Sequence, residues 1–368
     1  MKATAAVLTA PSAPLHLEEI DVADPQLGEV RVRMLASGVC HSDLRVVVGE
    51  WDATMPVVLG HEGAGIVDAV GPGVTSLRPG DHVALSWTPS CGACRYCLSG
   101  RPQLCVNART NAYNNLLPDG TTRLSLGGEP VYSYLSVGSF AEYAVVPQSG
   151  AIKIDDHVDP KIAALVGCAI TTGVGATINT QPIPAGATAM VIGTGGVGQS
   201  AIAGLNLQSP SMLIAVDIVD ERLRIAKQLG ATHTINSATT DVREAIMELT
   251  DGRGIEFAYE ATGRAEAIEQ AYYALAPGGV CTVVGQVATG GRISIDPLLM
   301  SGHELVLRGS NYGSSRPAID FPRILSLHEE GKLDLNALVT KTIALDEINS
   351  AFDDMQAGKG LRTVVSFE

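Results

Sequence analysis

A two-domain α/β protein is predicted by three features of the sequence: its length, a change of texture near residue 170, and its glycine content. At 368 residues the chain exceeds the ~250 to 300 residues beyond which a single core usually splits. Residues 1 to about 165 carry short β-like stretches, Val30 to Met34, Gly65 to Val70 and Ala141 to Val146, punctuated by Gly and Pro. This reads as an irregular, mostly β domain. From about 170 to 311, apolar strand-length runs alternate with helix-length segments: Ala189 to Gly193 then Val197 to Leu207, Leu213 to Asp217 then Glu221 to Leu229, Phe257 to Ala261 then Ala265 to Leu275. Such alternation implies βαβ units on a parallel sheet. The tail, 312–368, ends in another β-like run, Thr363 to Phe367, which can return to the first domain. Forty glycines against 4% aromatic residues point to tight turns and close backbone approaches.

Composition narrows the function classes. With 46% hydrophobic and 17% charged residues the chain is of the compact, folded kind. A net charge of -14 repels a phosphate backbone, so nucleic acid is not an expected partner. The N-terminal MKATAAVLTAPSAP lacks the apolar stretch of a secretory signal, and no run approaches 18 apolar residues. No membrane partner is therefore expected, and the cytoplasm is the expected location. There are seven cysteines, and in a reducing compartment clustered cysteines are more often metal ligands or catalytic groups than disulfides.

The first chemical motif is MVIGTGGVG. Gly193, Gly195 and Gly198 form G-x-G-x-x-G between a strand-like and a helix-like run, the context that a dinucleotide-binding turn requires. Glycine there allows the tight turn, the approach of a pyrophosphate to the helix N-terminus, and packing of helix on sheet. A second strand, LIAVD, ends in Asp217, 19 residues after Gly198, close to the ~20-residue offset of the carboxylate that binds ribose hydroxyls. The bland alternative is a structural turn with Asp217 as a solvated strand end.

The second motif is the C-x2-C-x2-C-x7-C run of Cys91, Cys94, Cys97 and Cys105. Four thiolates complete the tetrahedral shell of a structural zinc ion. An iron-sulfur cluster is the rival, but its bacterial run has three residues before a last cysteine that proline follows. Here seven residues intervene and Val106 follows. A third, dispersed set contains GVCHSDL with Cys40, GHEGAG with His61 and Glu62, and VGCAITTG with Cys168. One histidine and two cysteines would match a catalytic zinc that keeps its fourth position open. Spacing alone leaves this set undecided, because lone cysteines usually pack as small core hydrophobes.

GHEGAGIVDAVGPGV, the four-cysteine run, VGCAITTG and GTGGVG stand in the order found in medium-chain zinc-dependent alcohol dehydrogenases, and the resemblance spans essentially the whole chain. It implies an α/β fold with a GroES-like β-rich catalytic domain, 1–169 plus 312–368, enclosing in sequence a Rossmann doubly wound parallel-sheet domain at 170–311, with the active cleft between them. It also implies a catalytic zinc on Cys40, His61 and Cys168, with Glu62 beside it and Asp43 orienting His61 as metal-bound imidazoles need. Ser42 would hydrogen-bond the substrate oxygen and pass on its proton. NAD would be held by Gly193, Gly195 and Gly198, by Asp217 and Arg222 at the adenosine ribose, and by His41 and Arg362 near the pyrophosphate. Zinc would act as Lewis acid on the alcohol while hydride passes to nicotinamide.

Two departures bear on mechanism and substrate. Many relatives carry a histidine three residues after the relay Ser or Thr, whereas this chain has Arg45, which cannot act as a terminal base. Trp87 and Tyr134 fall where the family places bulky walls of the alcohol pocket, while Ser42 is smaller than the threonine of many relatives. The segment LLPDGTTRL, 116–124, resembles the long loop of animal, plant and formaldehyde-oxidising members, which implies a homodimer. Arg109, four residues after Cys105, matches the anion-binding arginine of thiol-adduct formaldehyde dehydrogenases, though a solvated loop arginine explains it equally well. The expected reaction is therefore oxidation of a primary or secondary alcohol, with the thiol adduct of formaldehyde as the alternative substrate. A zinc-free enone or quinone reductase on the same fold is disfavoured by the intact Cys40, His61 and Cys168. A non-enzymatic dinucleotide sensor would need neither zinc set.

Overall fold

The computed structural model describes residues 1–367. It contains two compact units. The first comprises Met1–Cys168, Arg316–Ser326 and the chain from Val339 onward; the second comprises Ala169–Ser315 and Leu327–Leu338.

The first unit is β-rich. Strands Lys2–Leu8, His16–Val22, Leu124–Leu126, Glu129–Ser133 and Val57–Val58 close a small barrel. A second sheet is centred on Glu29–Gly38, whose alternate residues Val30, Val32, Met34 and Ala36 are buried while Arg33 faces solvent, the period-two pattern of a strand with one packed face. Register does the work of gathering distant residues. Gly38 pairs with Glu62 of strand Glu62–Val70 on one side. On the other side it pairs with Val364 of strand Arg362–Ser366, so the C-terminal tail lies in this sheet. The chain segments around residues 40, 62 and 362 are thereby brought to one end of three adjacent strands.

The second unit holds a six-stranded, fully parallel sheet in the order His233–Asn236, Met212–Asp217, Thr188–Ile192, Ile255–Glu260, Leu275–Val283, Val306–Gly309. The inner strands Thr188–Ile192 and Met212–Asp217 are near-continuous apolar runs, as expected of a parallel sheet covered on both faces. Met190, Ile192, Ile214 and Val216 share a core with Ile246, Ala271 and Tyr272. The strand order reverses between Thr188–Ile192 and Ile255–Glu260, which is where a doubly wound sheet opens a crevice for a nucleotide.

No run reaches 18 consecutive apolar residues, yet the helical segment Pro160–Thr180 is by length and composition apolar enough to cross a membrane. Small residues and threonines disguise its hydropathy. Of its most apolar 18-residue window, 78% is buried inside the protein, so the apolarity is that of a core segment. The segment is not uniform α-helix: π-helical turns occupy Val166–Ile170 and Ala176–Thr180. Gly173 permits the packing of this segment on helix Gly196–Asn206, since a Cβ there would sit 2.2 Å from the Val197 carbonyl oxygen.

Candidate active site

Cys40 caps the short helix His41–Val47, and Asp43 in its first turn is fully buried. Its carboxylate accepts hydrogen bonds from the Cys40 N–H at 3.2 Å and the Gly60 N–H at 3.0 Å. One oxygen also lies 3.1 Å from His61 Nδ1. With Nδ1 engaged by a carboxylate, Nε2 is the nitrogen left to act as a ligand. Cys168 comes from the π-helical turn Val166–Ile170, a type of turn frequent at functional sites. Ligand atoms of Cys40, His61, Glu62 and Cys168 all lie within 4.8 Å of one another. The sheet register and the π-helical turn together assemble three sequence segments that share no local pattern.

Glu62 forms a buried ion pair with Arg362. Burial pushes the Glu62 carboxyl up to about 7 against the pull of that guanidinium. Its Oε1 and the Arg362 Nε have no hydrogen-bond partner among the described residues. Buried orphan polar atoms are costly. An orphan carboxylate oxygen beside two thiols and an imidazole is what a divalent cation would satisfy, so the donor set fits zinc. The structure pairs Arg362 with Glu62; the place near the pyrophosphate that the family resemblance implies for it is compatible with that pair.

Ser42 Oγ lies 3.8 Å from Cys40 Sγ. The Tyr134 ring meets His61 edge-on at 5.6 Å, and its hydroxyl donates to the Ser42 carbonyl at 3.4 Å. Trp87, 7% exposed, packs edge-on against Tyr113 at 6.4 Å, and burial, opposed by Arg109 and reinforced by Cys168, pushes the Tyr113 hydroxyl up. Arg109 lies over the ring of Tyr113, 6.0 Å from the ring centre. Arg45 stacks over Trp51 at 5.1 Å, with Glu50 3.8 Å away. Tyr113 was not singled out in the sequence; its position eight residues after Cys105 carries no pattern that marks it.

The second cluster is local. Sulfur atoms of Cys91, Cys94, Cys97 and Cys105 also lie within 4.8 Å of one another. The Cys91 N–H points at Cys105 Sγ at 3.3 Å and the Cys94 N–H at Cys91 Sγ at 3.4 Å. Backbone N–H groups, that of Cys97 first, hold the Cys94 thiol down to about 6. Loop amides directed at sulfur favour thiolate, the form that binds metal. No cysteine among the described residues forms a disulfide, and the four donors fit a closed zinc shell.

In the second unit, the glycine-rich turn precedes helix Gly196–Asn206. Gly193 has φ +86°, and a Cβ there would lie 2.4 Å from Thr262 Cγ2; a Cβ on Gly198 would lie 1.8 Å from the Gly193 carbonyl oxygen. Both glycines are required by packing. Gly195 is different: a Cβ there meets nothing within 4 Å. Its glycine is explained by space kept open at the helix N-terminus, where backbone N–H groups and the helix dipole favour a phosphate. The turn therefore fits a dinucleotide. Asp217, at the end of its strand, accepts from the Thr194 N–H and hydroxyl at 2.7 and 3.0 Å through one oxygen, and from the Ile218 and Val219 N–H groups at 2.8 and 3.0 Å through the other. Gln199 links the Thr194 carbonyl to that of Arg222 at 3.0 and 2.7 Å. Thr194 and Gln199 are the residues that sequence reasoning missed, although both lie in or beside G-x-G-x-x-G. His41 is an exposed residue of the helix His41–Val47 in the first unit.

Two family models match the chain: an alcohol dehydrogenase GroES-like domain over residues 26–156 and a zinc-binding dehydrogenase domain over residues 196–330. An S-(hydroxymethyl)glutathione dehydrogenase from Escherichia coli O1:K1 / APEC is 38% identical over 372 residues, covering 100% of both chains. Among solved structures, benzyl alcohol dehydrogenase from Acinetobacter calcoaceticus superposes with a TM-score of 0.95 at 36% identity, covering 100% of each chain. An alcohol dehydrogenase zinc-binding domain protein from Burkholderia ambifaria gives 0.96 at 36% identity, covering 100% of this chain and 99% of the other. Likeness at this level, end to end in both sequence and fold, makes the chain an enzyme of the medium-chain zinc-dependent alcohol dehydrogenase family.

Proposed function

We propose that the enzyme oxidises an aromatic primary alcohol with NAD, using a catalytic zinc on Cys40, His61 and Cys168 and a structural zinc on Cys91, Cys94, Cys97 and Cys105. The observation that carries this reading is the convergence of Cys40, His61, Glu62 and Cys168, ligand atoms within 4.8 Å, next to aromatic walls formed by Tyr134 and by Trp87 with Tyr113. When bound, zinc supplies Lewis-acid polarisation of the alcohol oxygen and NAD accepts the hydride. The chain's part is to hold the donor and the proton path. Asp43 keeps the His61 tautomer and ring plane fixed. The Ser42 hydroxyl receives the alcohol proton and hands on its own. The Arg45 guanidinium has no acceptor and cannot serve as terminal base, so the proton leaves past Ser42 through water or ribose hydroxyls.

Gly195 leaves the space for the pyrophosphate, and Asp217 receives the adenosine ribose with Arg222 nearby. A 2′-phosphate in place of the hydroxyl would meet the Asp217 carboxylate, and such like-charge juxtaposition costs several kcal/mol. We propose a homodimer, on the likeness of segment 116–124 to long-loop family members, and a cytoplasmic location, where clustered free cysteines stay reduced. A second reading, oxidation of a thiol adduct of formaldehyde, is favoured by Arg109 stacked over Tyr113 and by the substrate named for the Escherichia coli relative.

Metal analysis should find two zinc ions per chain, and NAD-linked turnover should be fastest on benzylic alcohols. Thiol-dependent formaldehyde turnover exceeding benzyl alcohol turnover would select the second reading. NAD should exceed NADP in kcat/KM by about a hundredfold or more, and Asp217→Ser should shrink that ratio. An unchanged ratio would remove Asp217 from cofactor selection.

A further inference from the structure

Three residues with left-handed backbone angles meet in one place in the first unit: Asn115 at φ +61°, Leu135 at +52° and Ser136 at +59°. Residues with side chains adopt this conformation rarely; asparagine is the most tolerant, and a branched apolar side chain such as leucine is poorly suited to it. All three are buried, Asn115 and Ser136 at 1% exposure. A strained turn persists only where its surroundings over-determine it, and here the ties are explicit. Asn115 Oδ1 accepts from the Leu135 N–H at 3.2 Å, and the Asn115 carbonyl accepts from the Ser133 N–H at 3.3 Å. The Ser136 hydroxyl donates to the Leu116 carbonyl at 2.6 Å. Asn115 Nδ2 is buried and has no partner among the described residues. An unsatisfied donor is a cost that an apolar residue at 115 would avoid, so the position keeps asparagine for its acceptor and its tolerated φ.

What the turn holds is Tyr134, the residue immediately before it, with its ring 5.6 Å from His61 and its hydroxyl on the Ser42 carbonyl. Asn115 also stands two residues after Tyr113, and its own N–H donates to the Ala112 carbonyl at 3.0 Å. One side chain therefore ties together the two segments that carry Tyr113 and Tyr134. We infer that Asn115 is a positioning residue that sets the distance between the two aromatic walls and thereby selects among alcohols by width. The inference rests on the reading that Tyr134 lines the alcohol pocket. Its physical basis is that a wall on a loop is only as well placed as the contacts that lock the loop.

The experiment compares kcat/KM for benzyl alcohol and for ethanol in the zinc-loaded enzyme. Asn115→Gly keeps the backbone angle accessible and removes the acceptor together with the rest of the side chain. It should lower the benzyl alcohol value about tenfold, the scale of a changed fit in an apolar pocket, with ethanol within about twofold. Ser136→Ala cuts the tie at its other end, should shift the ratio in the same direction, and reports on the turn if the glycine variant fails to fold. Equal losses on both alcohols, or an unchanged ratio in a folded variant, would show a purely structural clamp and overturn the inference. Tyr134→Leu separates the inference from its premise. If Tyr134→Leu leaves the ratio unchanged, the pocket reading falls and takes this inference with it. If Tyr134→Leu shifts the ratio while neither Asn115→Gly nor Ser136→Ala does, the inference alone falls.

Discussion

The two cysteine clusters of this enzyme use the same donor atom in opposite ways. Cys91, Cys94, Cys97 and Cys105 lie within one short stretch of loop and short helix, with Cys91 exposed and loop amides aimed at the sulfurs. Cys40, His61 and Cys168 are far apart in sequence, and Cys40 and His61 are nearly inaccessible. They are brought together by strand register and a π-helical turn. A loop of this kind is ordered by short turns and by its ligands, so losing the ion removes much of what holds it. A site built from the ends of packed strands exists before the ion arrives. The contrast predicts that metal loss costs chemistry at one cluster and stability at the other.

The largest expected effect is on turnover. Cys168→Ala should remove one zinc per chain and lower kcat by about a thousandfold or more, the scale on which Lewis-acid catalysis contributes. The melting temperature should stay within about 3 °C. Normal kcat in that variant would break the assignment of this cluster as catalytic. Next in size is Asp43→Asn, which keeps the shape but removes the charge behind His61. Zinc affinity at the buried cluster should fall about 10- to 100-fold with the four-cysteine zinc retained; competition with a chelator measures both. Equal loss at the two clusters would mean that Asp43 acts on the whole unit and not on one imidazole. The smallest effect on catalysis comes from Cys97→Ala. It should release the other zinc and lower the melting temperature by about 5–10 °C while the remaining folded enzyme keeps most of its kcat. If metal content and melting stay the same, the loop does not hold an ion.

The same contrast explains what could be read without coordinates. The four-cysteine run was legible because its ligand set and its sequence pattern are the same object. The parallel sheet was legible because strands buried on both faces are apolar runs set off by amphipathic helices, as in Leu213 to Asp217 followed by Glu221 to Leu229. Cys40, His61 and Cys168 were gathered only by family resemblance. The pairing of Gly38 with Glu62, which brings their segments together, is a matter of register that no local spacing expresses. The barrel was hard to foresee for a simpler reason: one of its strands is the two residues Val57–Val58, too short for any periodicity. Thr194 was passed over as the variable position of a glycine motif, yet its hydroxyl and N–H both hold Asp217. Asn115 gave no signal, since a left-handed residue that ties two loops is defined by partners 20 or so positions away.

The π-helical turn at Val166–Ile170 gives the segment leading into Cys168 an unusual sensitivity. Each residue of an α-helix advances the side-chain direction by about 100°, and a π turn absorbs one residue more than an α turn. Deleting a single residue between Pro160 and Gly167 would shift the register of this segment and turn the Cys168 thiol away from Cys40 and His61 unless the π turn relaxed to α-helix and absorbed the loss. Exchanging one apolar side chain for another of similar size there would leave its bearing intact. For this stretch the number of residues is the information, and their identity comes second.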